Sequence, residues 1–107
     1  MLKSQMNIID MVESVPVTEA QTYQPGQIYY NAFCDAPLLV LQADYVTYYG
    51  RPYLVNAVIL WLDSNELQQT HMDLEADDKV LIPSKELTRE IRKCIRAWKR
   101  GELHEII

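Results

Sequence analysis

The apolar positions of this chain fall into two periods. From Gln27 to Ile82 they come in short runs or alternate with polar residues, which is the pattern of strands. From Ser84 onward they recur every three or four residues, which is the pattern of a helix. The segments Gln27–Phe33 (QIYYNAF), Leu38–Tyr49 (LLVLQADYVTYY), Tyr53–Leu62 (YLVNAVILWL), Glu66–Met72 (ELQQTHM) and Val80–Ile82 are rich in β-branched and aromatic residues. They are separated by Cys34-Asp35-Ala36-Pro37, Gly50-Arg51-Pro52, Asp63-Ser64-Asn65 and Asp77-Asp78, each a turn signal. The stretch Tyr53–Leu62 is apolar enough for a central strand covered on both faces.

Residues 84–100 predict the clearest element. Ser84 follows Pro83 as an N-cap, and Gly101 stands where a helix ends. Leu87, Ile91, Cys94, Ile95 and Trp98 fall within an arc of roughly 100° on a helical wheel, a core-facing stripe. At the other end, residues 4–15 predict a short amphipathic helix capped by Ser4, with Ile8, Ile9, Met11, Val12 and Val15 apolar and Pro16 as its stop. Its methionines also suit it to a partner groove, although packing on its own sheet is the commoner use.

The expected fold is therefore α+β. A small antiparallel sheet or SH3-like barrel of about five strands carries an N-terminal helix and a C-terminal amphipathic helix. A length of 107 residues suits a single domain, read as helix and connector over 1–26, a β-rich body over 27–83, the helix over 84–101 and a tail over 102–107.

Composition narrows this little: 49% hydrophobic and 23% charged residues is an ordinary globular mix. The N-terminus lacks a basic segment followed by an apolar one, and the longest apolar run has ten residues where a membrane helix needs about twenty. The expectation is a soluble, cytoplasmic protein with no membrane contact. Cys34 and Cys94 stand apart, without the spacing of a zinc or redox motif, and read as reduced thiols.

Charge is more informative. The chain carries a net charge of −5, but residues 1–84 hold three basic and eleven acidic residues, whereas residues 85–107 hold seven basic and four acidic. Arg89, Arg92, Lys93, Arg96, Lys99 and Arg100 fill the arc of the helix opposite its apolar stripe. That face suits an acidic partner or phosphate, or is simply solvated and favoured by the helix dipole.

Seven tyrosines form the second unusual feature, and four of them flank Gly50-Arg51-Pro52. A hairpin there brings Tyr48 and Tyr49 close to Tyr53, with Arg51 at the tip. Tyrosine and arginine are enriched at binding hot spots, and cross-strand aromatic pairing is the structural alternative. His71, Asp73 and Glu75 alternate and would share a face if the strand continued, which would allow a metal-dependent enzyme at His71 and Asp73 as a remote third reading.

Three scattered glycines exclude a glycine-rich phosphate loop, and nothing prepares a nucleophile. The sequence thus favours a non-enzymatic protein-binding module, an adaptor or regulatory subunit, without cofactor or metal. Its contact residues would be Tyr48, Tyr49, Arg51 and Tyr53, then Arg89, Arg92, Lys93, Arg96 and Arg100. A nucleic-acid-associated regulator using the basic helix is the alternative. A homodimer is a further expectation, because the apolar strands of a small sheet have an edge to hide.

Overall fold

The computed structural model describes residues 13–17 and 22–102. Among them are six strands, β1 (Glu13–Pro16), β2 (Ile28–Asn31), β3 (Ala36–Tyr48), β4 (Arg51–Trp61), β5 (Glu66–Thr70) and β6 (Lys79–Ile82), followed by the helix α1 (Lys85–Lys99). They form one sheet in the order β1-β6-β2-β3-β4-β5, with every neighbouring pair antiparallel. The outermost strands, β1 and β5, do not meet, so the sheet is open and the expected barrel is not formed.

The middle of the sheet is apolar on both faces. Successive side chains of a strand point to opposite sides. Leu39 and Leu41 of β3 and Val58 and Leu60 of β4 therefore join one cluster, with Ile28, Leu67 and Leu81. Leu38 and Val40, with Leu54, Ala57 and Ile59, join the other. The expectation of a strand covered on both sides holds for Ala57 to Leu60, whereas Tyr53 and Val55 of the same stretch are exposed.

The first face is covered by α1, which buries Leu87, Ile91 and Cys94 and packs Ile95 and Trp98 alongside. Both ends of α1 follow the sequence signals. Ser84 Oγ accepts a hydrogen bond from the Leu87 amide at 3.2 Å. At the C-terminus, Gly101 N donates to Trp98 O and Glu102 N to Ala97 O, the paired bonds of a Schellman motif. Gly101 takes φ +75°, which a glycine adopts without steric cost.

The second face is covered by irregular chain. Tyr23 packs edge-on against Tyr29, with ring centroids 5.1 Å apart. The link from β5 to β6, residues 71–78, carries the chain from one edge strand to the far side of β2 and crosses this face as a strap. Leu74 of the strap packs into the second cluster. Tyr45 OH donates to Asp73 Oδ1 at 2.6 Å and accepts from the Tyr23 amide at 2.9 Å, so one phenol ties both coverings to β3. Asp78, almost fully buried, ends the strap by accepting from the Ala32 and Glu75 amides, each at 2.9 Å.

The N-terminal expectation is corrected where the structure describes it. Glu13–Pro16 is not the end of a helix but strand β1, paired with β6 from Glu13↔Ile82 to Pro16↔Lys79. The residue before a proline is biased away from the helical region, which Val15 obeys, and a proline is tolerated on an edge strand. The rest of the expected helix, residues 4–12, lies outside the described residues.

The strap makes a prediction. Asp78→Ala strands two amides beneath it and should cost about 2–4 kcal/mol in urea unfolding. Asp77→Ala, at an exposed neighbour, should stay within about 0.5 kcal/mol.

Candidate functional site

The β3–β4 hairpin outruns both coverings. Every residue from Val46 to Tyr53 is exposed. Two register shifts, at Leu41 on β3 and at Val55 on β4, insert one extra residue each; such bulges bend a ribbon and sharpen its twist. Beyond them the pairs Val46↔Tyr53, Thr47↔Pro52 and Tyr48↔Arg51 close on a two-residue loop, Tyr49-Gly50. Arg51 is thus the first residue of β4 rather than the tip, because the loop falls one residue earlier than the Gly-Arg-Pro signal suggested.

The arm has a defined arrangement. Counting by twos from Gln42, which pairs with Val58 of the helix-side cluster, puts Val46, Tyr48, Arg51 and Tyr53 on the face that α1 covers further down. The Tyr48 ring lies 4.5 Å from Tyr49, edge-on, and 6.0 Å from Tyr53. The structure therefore brings together the four hairpin residues singled out from the sequence. It also divides the tyrosines: Tyr23 and Tyr29 are core, Tyr45 is a half-buried bridge, and Tyr48, Tyr49 and Tyr53 face solvent.

The loop breaks a local rule. Tyr49 and Gly50 both have positive φ, +49° and +74°. Such a loop favours Asn-Gly or Asp-Gly, since a bulky side chain is strained there. Tyr49 is 89% exposed and belongs to neither core cluster; its edge-on contact with Tyr48 is the ring contact it makes among the described residues.

The cations of α1 and its C-cap are all exposed: Lys85, Arg89, Arg92, Lys93, Arg96, Lys99 and Arg100. Arg100 makes a two-pronged pair with Glu102, and Lys93 approaches Glu90 at 3.6 Å. No ion pair holds Arg89, Arg92, Arg96 or Lys99 among the described residues.

Comparison with protein-family models, with curated protein sequences and with solved structures finds no match to this chain. What the surface does has to be read from its own chemistry.

His71, Asp73 and Glu75 do not share a strand face. β5 stops at Thr70, and the three sit on the strap. Asp73 Oδ1 is taken by Tyr45 OH and the Leu74 amide, and His71 Nδ1 lies 2.7 Å from Val55 O. No group of three or more His, Cys, Asp or Glu is placed to hold a metal ion among the described residues. Cys34 is exposed in the β2–β3 turn and Cys94 is on the buried face of α1, both as free thiols. Burial raises the Cys94 thiol above its ordinary range. No helix among the described residues is long and apolar enough to cross a membrane.

The sequence reading missed the strap. Tyr45 was one tyrosine of a run, and nothing local links it to Tyr23 or to Asp73, 28 residues away. Burial is the chief cause that raises the phenols of Tyr23, Tyr29 and Tyr45 above their ordinary value of 10.0; Tyr45 is raised further by its bond to Asp73. A raised phenol keeps its proton in the folded state after the unfolded chain has released it. Stability should therefore be unaffected by these groups below about pH 10 and fall as pH rises beyond it. Urea midpoints measured across that range should show the decline, with a shallower slope in Tyr45→Phe.

Proposed function

We propose that this chain is a non-catalytic interaction module whose arm, Val46–Tyr53, is the contact for a protein partner. The observation that carries the reading is Tyr49. A tyrosine occupies a left-handed loop position that asparagine fills with less strain, and its ring is displayed to solvent against Tyr48. Breaking a local rule to hold a ring outside the core is what a surface shaped for binding does. Around it, Tyr48, Tyr53 and Arg51 supply rigid aromatic area and a fixed charge, the residue types that dominate binding hot spots.

The arm is suited to this by its independence from the core. Its side chains neither fill a cluster nor cover the sheet, so a partner can bury them without disturbing the fold.

One observation favours a second reading, contact with nucleic acid through α1: the single-sign row of Arg89, Arg92, Arg96 and Lys99, which no ion pair holds among the described residues. It is the weaker of the two, because the remainder of the chain is acidic and repels phosphate.

Affinity capture of protein partners, with and without nuclease, separates the readings. Tyr48→Ala with Arg51→Ala should reduce capture at least about tenfold, a loss of about 1.4 kcal/mol, while the melting temperature stays within a few degrees. Tyr49→Asn should reduce capture and raise stability by a few tenths of a kcal/mol. Binding that disappears with nuclease, falls steeply with salt and is abolished by Arg92→Glu with Arg96→Glu would transfer the function to α1.

A further inference from the structure

A hollow of about 310 Å³ opens where the strap meets the foot of the arm, lined by Pro52, Tyr53, Leu54, Val55, His71 and Asp73. The side chains of His71 and Asp73 set its polar character. The Val55 carbonyl can only accept, so the His71 Nδ1 lying 2.7 Å from it carries the proton, and in that tautomer Nε2 is an acceptor. Asp73 spends Oδ1 on Tyr45 OH and the Leu74 amide, while Oδ2 receives no hydrogen bond among the described residues. A carboxylate is acceptor-only. Pro52, Leu54 and Val55 bring apolar side chains to the same lining.

Two acceptors, one of them charged, call for a ligand that only donates. An anion is repelled by Asp73. A divalent cation would find one carboxylate and one imidazole, fewer protein ligands than its sites normally use. A guanidinium has five donors and no acceptor, is always charged, and hangs from an apolar stem that suits Pro52, Leu54 and Val55. The strap adds Glu75, Asp77 and Asp78 and no basic residue, so the potential on this side of the sheet attracts a cation.

We propose that this hollow receives an arginine side chain presented by the protein partner of the arm. The source of the arginine rests on the reading of the arm given above; the chemistry of the hollow does not.

The test uses the full chain and a capped arginine, N-acetyl-arginine-N-methylamide, titrated while amide resonances are followed by NMR. Saturable shifts at Tyr53 to Val55 and at residues 71–74 should appear with millimolar affinity, the scale of a single side chain. The capped citrulline, equal in shape and uncharged, should bind at least about fivefold more weakly. Asp73→Asn keeps an oxygen for Tyr45 and Leu74 and should weaken the arginine about tenfold with the spectrum elsewhere unchanged.

Absence of a saturable shift at these residues, or equal binding of citrulline, overturns the proposal. So does free arginine binding more than about tenfold tighter than the capped form, since the hollow would then select a small molecule. The double change at Tyr48 and Arg51 should leave the arginine titration intact, so failure of the arm and failure of the hollow give different results.

Discussion

Everything in this structure follows from a ribbon that is apolar on both faces. Leu38 to Leu41 and Ala57 to Leu60 alternate sides along β3 and β4, and each buried leucine or isoleucine contributes about 1.5–3 kcal/mol only if its face is removed from water. A single helix can cover one face. The other has to be covered by something else, and the chain uses Tyr23 and the strap. Because those segments are irregular, their backbone amides need partners that a helix would have supplied internally. Tyr45, Asp73 and Asp78 supply them from side chains.

The same constraint separates opposite charges. The helix exposes its cations on one side of the sheet, and the strap displays acids on the other. The single sheet between them keeps these two groups of charges apart. Between these sides the arm continues past both coverings, where no core requires its tyrosines. The hollow beneath it exists because the strap turns back against β4 at Val55, the site of the second bulge.

Most of the sheet was legible in the chain because its strands are short, alternate regularly and end at turn residues. The arm was legible too, since two strands joined by a two-residue loop are neighbours by necessity. Placing Arg51 at the tip was wrong by one residue, because Tyr49 rather than Arg51 bears the unusual backbone. The end of the N-terminal segment misled because Val15 and its neighbours fit a helical period. Pairing with an otherwise bare edge of β6 outweighs that weak local preference. The remaining expected site, at His71 and Asp73, was drawn on a strand that stops at Thr70; the residues do meet, but across a strap and beside β4.

By itself the sequence determined what is local: the strand segments and their turns, the helix from its cap to Gly101, the single-sign face of α1 and the exposed tyrosine hairpin. These depend on period, capping and loop chemistry, which act over a few residues. Only the tertiary structure decided that the sheet stays open, that β6 enters between β1 and β2, and that the link before it crosses the second face. It also decided that Tyr45 reaches Tyr23 and Asp73, and that His71 and Asp73 frame a hollow with Tyr53. Those contacts join residues far apart in the chain, and the driving force for them is burial, which carries no directional signal in any short stretch of sequence.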